Sequence, residues 1–505
     1  MSLNYNFIWL LCYLLVLVGL AGYGFHRLSI VYLYWKNRNN KPQPKARFQE
    51  LPVVTVQLPM FNEKFVVDRL LESVAALDYP QDKLEIQILD DSTDDTTEQC
   101  YRKVEELKSR GFDAVCIHRT DRTGFKAGAL EAATKVAKGE FLLILDADFV
   151  PEPDLLQKTI HFFTDENVGL VQTRWGHINR EYNLLTRIQG MYLDGHFAME
   201  QTARNRSGRF FTFNGTAGIW RKCVIGDAGG WSHDTLTEDM DLSYRVQLRG
   251  WRFIYLNDVV TPAELPVDMD GFKSQQHRWT KGSIQVCQKI LLDIWRSNAP
   301  LKAKVEATTH LTCNYSYLLL ALLCFLVYPI CTQRIPENET VFMWFVNVAL
   351  FFMTSVAVCI FYMSAQIVVR PKSWWKELPY LPLLLTLSVG MAVNNAKAVL
   401  EAIFGHQSAF VRTPKYGVDR KEDRQHVSQL KRNGYRAIKS VVIPVLEIAC
   451  GTFFLNLIII MIRQGHYLSP ILMIPFLGFY YTGFCSLGRM ISNLLPAKQT
   501  AKAKN

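Results

Sequence analysis

Much of what this chain could be is excluded by what it lacks. Its 11 cysteines include no C-x-x-C pair and are scattered, so neither a zinc site nor a disulfide framework is indicated, and a reduced cytoplasmic setting fits. There is no G-x-G-x-x-G turn and no Walker lysine loop, which argues against a dinucleotide oxidoreductase and a P-loop ATPase. No small-residue cleavage site follows the first apolar run, Phe7 to Tyr34. That run is too long for a signal-peptide core and is expected to stay as a span.

What is present is unevenly spread. Of 505 residues 49% are hydrophobic, and they gather in that first run and in roughly Leu311–Cys331, Val341–Val369, Val441–Ile462 and Ile471–Leu494. Each is long enough to cross ~30 Å of hydrocarbon as a helix. The net charge of +10 flanks these runs: Lys36, Arg38, Lys41, Lys45 and Arg47 follow the first, nine Lys/Arg against three Asp/Glu fill 403–440, and Lys498, Lys502 and Lys504 come last. The positive-inside rule makes these flanks cytoplasmic and turns the loops 332–340 and 463–470 outward. Membrane-flanking position accounts for the charge better than a nucleic-acid patch, so no nucleic acid partner is expected. The run Leu381–Val393 is only 13 residues and holds Pro382 and Gly390. A crossing there would put 403–440 outside, so it is expected in the interface. The expected plan is a first transmembrane helix in 1–35, a cytoplasmic catalytic domain in 36–305, two helices in 306–370, an interfacial segment and loop in 371–440, and two helices with a basic tail in 441–505.

Within the soluble part, strands are expected at Leu51–Leu58, Leu84–Leu89, Ala114–His118 and Phe141–Leu145, with helices at Glu63–Leu77, Thr96–Arg110 and Lys126–Ala137. Alternation of this kind implies a parallel sheet with both faces covered, whose ligands sit at the carboxyl ends of the strands. Asp90, Asp91, Asp146 and Asp148 all fall there. In Asp146-Ala147-Asp148, alternate residues of an extended backbone aim two carboxylates alike, which suits Mg²⁺ or Mn²⁺ shared with a diphosphate; an acidic turn is the plainer alternative. Asp90 and Asp91 can accept bonds from a base or ribose, whereas Asp94 or Thr93 suits a helix cap. Lys126 begins a helix and could reach a phosphate, or be merely solvated. Glu238 and Asp239 open a helix. Inverting sugar transfer needs a base there and Asp239 is the candidate, though on spacing alone a helix cap explains these acids better. Arg278 can pair with a diphosphate and Trp279 can face a sugar ring, or both can belong to a membrane-interface helix.

Taken in order, Gln57-Leu58-Pro59-Met60-Phe61-Asn62-Glu63, Phe213-Asn214-Gly215-Thr216-Ala217-Gly218, Thr237-Glu238-Asp239-Met240-Asp241-Leu242 and Gln275-Gln276-His277-Arg278-Trp279 resemble the inverting, membrane-embedded glycosyltransferases of family 2. The resemblance is nearest to the plant cellulose-synthase-like A and C enzymes that make mannan and glucan backbones, and more distant to the bacterial cellulose synthase catalytic subunit. It implies an α/β GT-A domain on the cytoplasmic face, inserted in an α-helical transmembrane domain with a polymer channel. It further implies a metal site at Asp146 and Asp148, Asp239 as base beside Glu238, and nucleotide contacts from Asp90, Asp91, Lys126, Gln275 and Arg278. Trp279, Asn214, Gly215 and Thr216 would line the acceptor end. Phe410, Thr413 and Lys415 would belong to a gating loop of the pattern F-x-V-T-x-K, in which this chain has Arg412 in place of Val. The short stretch after the last apolar run has no room for the cyclic-dinucleotide-binding domain of the bacterial cellulose enzyme.

Three functions are open to such a chain. One is a processive synthase that takes a hexose from a nucleotide sugar, UDP-glucose favoured over GDP-mannose, extends a β-linked polysaccharide and passes it through its own helices, with accessory export subunits compatible. A second is non-processive transfer of a sugar to a membrane lipid such as diacylglycerol. A third, a transporter whose soluble domain only binds nucleotide, fits poorly, because five expected spans show no internal repeat. The bacterial inner membrane is the favoured location and the Golgi the alternative.

Overall fold

The computed structural model describes residues 5–332, 349–350, 352–407, 412–418, 441–464 and 470–494. Val54–Met60 (β1), Leu84–Asp90 (β2), Asp113–His118 (β3), Phe141–Ile144 (β4), Val168–His177 (β5), Gly218–Arg221 (β6) and Arg252–Ala263 (β7) form one sheet in the order β3-β2-β1-β4-β6-β5-β7. The first four strands fall where the apolar runs place them. Helices Val67–Ala75, Thr96–Ser109 and Phe125–Val136 join them. β1, β2 and β4 are buried along nearly their whole length because both faces of the sheet are covered, whereas β3, at the sheet edge, is largely exposed. Val56, Ile86, Ile88 and Leu143 pack on Leu70, Val74, Val104 and Leu107 on one side, while Leu142 and Ile144 pack on Leu130, Ala133 and Trp220 on the other. Buried polar strand residues pair across the ladder: Gln57 Nε2 donates to Gln87 Oε1 at 3.1 Å and Thr55 Oγ1 to Glu85 Oε2 at 2.6 Å.

The sheet is mixed rather than parallel. β1 is parallel to β2 and β4, and β5 to β7, but β6 runs antiparallel to both of its neighbours. The reason is local: residues 214–217 turn at the carboxyl edge, and β6 starts there and runs back, Gly218 opposite Ile144 and Arg221 opposite Phe141. That reversal brings Asn214 and Gly215 to the edge where β1, β2, β4 and β5 all end. Strand–helix alternation reveals nothing of this, because β5, β6 and β7 pair over long sequence separations.

Ile8–Asn37 and Val442–Arg463 are each long and apolar enough to cross a membrane. Leu301–Thr312 with Tyr315–Pro329, bent by 52°, and Trp374–Gly390 with Ala392–Ile403, bent by 41°, pass the same test as broken pairs, which is the geometry of a broken span or a re-entrant loop. The second pair contains the segment expected in the interface. Met353–Val369 is shorter, and the loops 333–340 and 465–469 and most of the basic segment after 418 lie outside the described residues. Ion pairs fasten these helices to one another and to the catalytic domain. His26 meets Glu306 at 3.0 Å, Arg27 pairs with Glu200, and Lys273 meets Glu447 at 2.5 Å and Ser486 Oγ at 2.9 Å. Lys273 lies on Met269–Arg296, the long helix that also carries Gln275, Arg278 and Trp279.

Candidate active site

A cleft of about 1300 Å³, its open mouth included, lies along the carboxyl edge of the sheet. It gathers Asp91, Lys126, Asp146, Asp148, Asn214, Gly215, Glu238, Asp239, Gln275, Arg278, Trp279, Thr413 and Lys415, residues spread over more than 300 positions of chain. Two expected members are elsewhere. Asp90 is fully buried, its carboxylate accepting from Ser92 N–H (3.1 Å), Thr97 Oγ1 (2.7 Å) and paired with His118 Nδ1 (2.8 Å). It is the last residue of β2 and braces the following loop, while Asp91, the next residue, faces the cleft. Thr216 is also buried, and its Oγ1 accepts the Asp146 N–H at 2.8 Å. It therefore supports the acidic turn from behind instead of lining the acceptor end. Phe410 lies outside the described residues.

At the end of the cleft expected to take the nucleotide, Asp91, Asp146 and Asp148 each have a cation. Arg119 grips Asp91 with two bonds, 2.8 Å and 2.6 Å. Lys126 Nζ lies 2.5 Å from Asp146 Oδ1 and donates to Gly215 O at 2.8 Å; Lys415 Nζ lies 2.5 Å from Asp148 Oδ2. Burial pulls both ammonium groups down, but the adjoining carboxylates outweigh it and both are held above their ordinary value. The backbone from Asp146 is a turn, closed by Phe149 N–H to Asp146 O at 3.1 Å, not an extended run. The two carboxylates therefore part, Asp146 towards Lys126 and Asp148 towards Lys415, yet both line the same cleft. Among the described residues no group of three or more His, Cys, Asp and Glu could enclose a metal. Two carboxylates offering only oxygen, each now facing a lysine charge, suit Mg²⁺ or Mn²⁺ completed by phosphate oxygens and water rather than Zn²⁺.

The acceptor end is built differently. Asp239 opens helix Glu238–Leu248, and its Oδ1 accepts the Met240 N–H at 2.8 Å. Burial and then the neighbouring Glu238 push it up to about 7, with Lys126 and Arg278 opposing more weakly. Gly215 has φ +78°, and a side chain there would start 3.0 Å from Asp239 Oδ2, so glycine is required both by conformation and by space. The long helix reaches this spot because Gly282 packs on Thr237, where a Cβ would fall 2.5 Å from Thr237 Cγ2. Trp279 stands 6.5 Å from Trp175, ring centre to ring centre, and Trp175 packs on Phe197 and Phe149. The result is an apolar wall against which a sugar ring can lie.

Sequence reasoning assigned no role to several lining residues. Glu63 is buried and pushed up to about 8 by burial, against the pull of Arg412. It stands within the stretch that carried the family resemblance, so a signal existed. Glu264, pushed up to about 7 by burial, accepts the backbone N–H groups of Tyr416 (3.0 Å), Gly417 (2.9 Å) and Val418 (3.3 Å) and so seats residues 416–418 beside the cleft. Trp175 and His177 end β5, a strand no local pattern announced.

A mixed sheet of this order, with an acidic turn after its central strand and a carboxylate at a helix start facing it, defines a GT-A glycosyltransferase domain. The comparisons agree. Residues 52–282 match the family described as Glycosyltransferase like family 2, and residues 218–465, overlapping them, match Cellulose synthase. It is 42% identical over 286 residues to glucomannan 4-beta-mannosyltransferase 2 of Arabidopsis thaliana (54% of this chain, 53% of that protein). Identity is 40% over 277 residues to glucomannan 4-beta-mannosyltransferase 1 of Oryza sativa subsp. japonica (54% and 53%). The chain thus spans about half the length of the curated relatives it matches. A mannosyltransferase of Pyrobaculum calidifontis, solved with GDP-Man and Mn²⁺, superposes with a TM-score of 0.56 at 20% identity, covering 78% of this chain and 100% of that one, which is a likeness of fold.

Proposed function

We propose that this protein is an inverting hexosyltransferase that takes a sugar from a nucleotide sugar and adds it to a growing β-linked mannan- or glucan-type polysaccharide at a membrane. The observation that carries the reading is the meeting, in one cleft, of the Asp146/Asp148 turn, Asp239 with its raised affinity for protons, and the Trp279–Trp175 wall. An acceptor hydroxyl oxygen bonds to the sugar's anomeric carbon, the bond from that carbon to the diphosphate breaks, and the hydroxyl proton passes to Asp239. Arg278 and Lys126 supply positive charge to the departing diphosphate. Asp146 and Asp148 would hold Mg²⁺ or Mn²⁺, which supplies further charge neutralisation when bound. Trp279 holds the acceptor ring against the wall.

The names of the plant relatives support mannose as the transferred sugar, where the sequence alone favoured UDP-glucose. They give no support to a bacterial inner membrane, which brings the Golgi alternative forward. The test is a radiolabel assay on purified membranes, with the two donors offered separately with Mg²⁺ or Mn²⁺. Ethanol-insoluble label released by an endo-β-mannanase or endo-β-glucanase supports the reading and names the sugar. Label confined to solvent-extractable lipid contradicts it and makes the protein a glycolipid synthase.

A further inference from the structure

The nucleotide end holds a residue that the family pattern does not. Where F-x-V-T-x-K has Val, this chain has Arg412, and a valine could make none of its polar contacts. Arg412 Nη1 donates to Phe61 O at 2.8 Å and also to Asn62 O, and its Nε lies 3.1 Å from Glu63 Oε1. All three oxygens belong to the turn that follows β1. That turn is held from its other side by the loop after β2: Asn62 N–H donates to Ser92 Oγ at 2.8 Å, and Thr93 N–H donates to Asn62 Oδ1 at 2.8 Å. Asn62 itself sits in the left-handed region, φ 56°, so the turn keeps this shape only while both sets of contacts hold. The Phe61 ring lies under the Arg122 guanidinium, 3.3 Å from its centroid, and lines the cleft together with Asp91. Three residues beyond Arg412, Lys415 meets Asp148. Between them Thr413 is buried, and its Oγ1 has no protein partner among the described residues.

One short segment therefore grips both ends of the donor cleft, the base side through Arg412 and the diphosphate side through Lys415. Resting on the reading of this cleft as a nucleotide-sugar site, we propose that Arg412 is a positioning residue that couples occupation of the Phe61–Asp91 wall by a nucleotide base to the seating of residues 412–415 at the diphosphate end. A flat ring stacked on Phe61 fixes the turn whose carbonyls Arg412 holds, and a fixed Arg412 fixes Thr413 and Lys415. Linkage makes this reciprocal, so a base and a diphosphate that are joined bind more tightly than the diphosphate alone by a coupling of ~10–100-fold.

Titration calorimetry on the purified full-length protein, with Mn²⁺ and separately GDP, UDP and pyrophosphate, reads this directly. For the unaltered protein at least one nucleoside diphosphate is expected to outbind pyrophosphate by ~10–100-fold or more. In Arg412→Met that preference is expected to collapse while pyrophosphate affinity stays the same. Arg412→Lys, which keeps the charge but loses the two-pronged geometry, is expected to lose most of the preference, and it carries the same test if the Met variant does not fold. A variant that keeps the full preference overturns the proposal, as does one in which pyrophosphate and nucleotide weaken equally. Failure of the unaltered protein to bind any of the three would instead overturn the donor-cleft reading.

Discussion

The two ends of the cleft use the same residue type in opposite ways. At the nucleotide end Asp91, Asp146 and Asp148 are each held at 2.5–2.8 Å by Arg119, Lys126 or Lys415. At the other end Asp239 sits beside another acid, Glu238, and burial and that neighbour push it up to about 7. The first three carboxylates lie against cations, whereas one left beside a like charge in a buried place exchanges protons near neutrality. On the proposed reading, the difference would give diphosphate and cation handling to one end and proton removal to the other.

The comparison can be broken or sharpened at several points. A large effect is expected at the end that holds Asp146 and Asp148. Asp146→Asn, or removal of divalent ions with a chelator, is expected to cost about 10²–10³-fold or more in turnover by withdrawing charge stabilisation from the leaving group, with Mn²⁺ or Mg²⁺ restoring the chelated enzyme but not the variant. Next is pH. Asp239 must be ionised to accept a proton, so kcat/KM is expected to fall about tenfold per unit below about 7 and to level above it. The same shift has a stability side. A carboxyl raised from 3.8 to about 7 contributes stability that is fully present below 3.8 and lost as pH rises through about 7. Asp239→Asn is therefore expected to melt above the unaltered protein at pH 8, with the gap closing towards pH 4 in a thermal-shift series. Trp279→Ala is expected to weaken acceptor binding by about 0.5–1.5 kcal/mol, roughly three- to tenfold, and to shorten the product on a sizing column with donor binding unmoved. The smallest effect is at Thr216→Val, which removes one bond to the Asp146 N–H and is expected to cost about 0.5–1.5 kcal/mol in denaturant unfolding.

The half of the sheet made of local strand–helix units was legible in the sequence, because each of β1 to β4 is a short apolar run bounded by turns. Both acids of the Asp146 turn were legible for the same reason, since they follow a clear strand, whereas on spacing alone the acids opening the Glu238 helix read as a cap and only the family resemblance gave Asp239 the role of base. What was not legible depended on direction and distance. Asp90 and Asp91 look equivalent in the sequence, but the last residue of β2 turns inward to His118 and only its successor reaches the cleft. Thr216 was placed with its neighbours Asn214 and Gly215, yet the turn into β6 points it behind Asp146. Trp175, His177 and Glu264 lie on or after strands that are held by partners far along the chain, and no local period marks them. The membrane part was legible as apolar runs, but the 41° and 52° bends at the breaks within them were not, because composition does not encode where a helix bends.

The division of labour between the two ends is tested most directly by measuring Mn²⁺–nucleotide binding and radiolabel turnover on the same preparation of Asp239→Asn. The account predicts binding equal to that of the unaltered protein with turnover reduced by about 10²–10⁴-fold. Turnover within a factor of about ten of the unaltered protein, or loss of nucleotide binding in step with turnover, would contradict it.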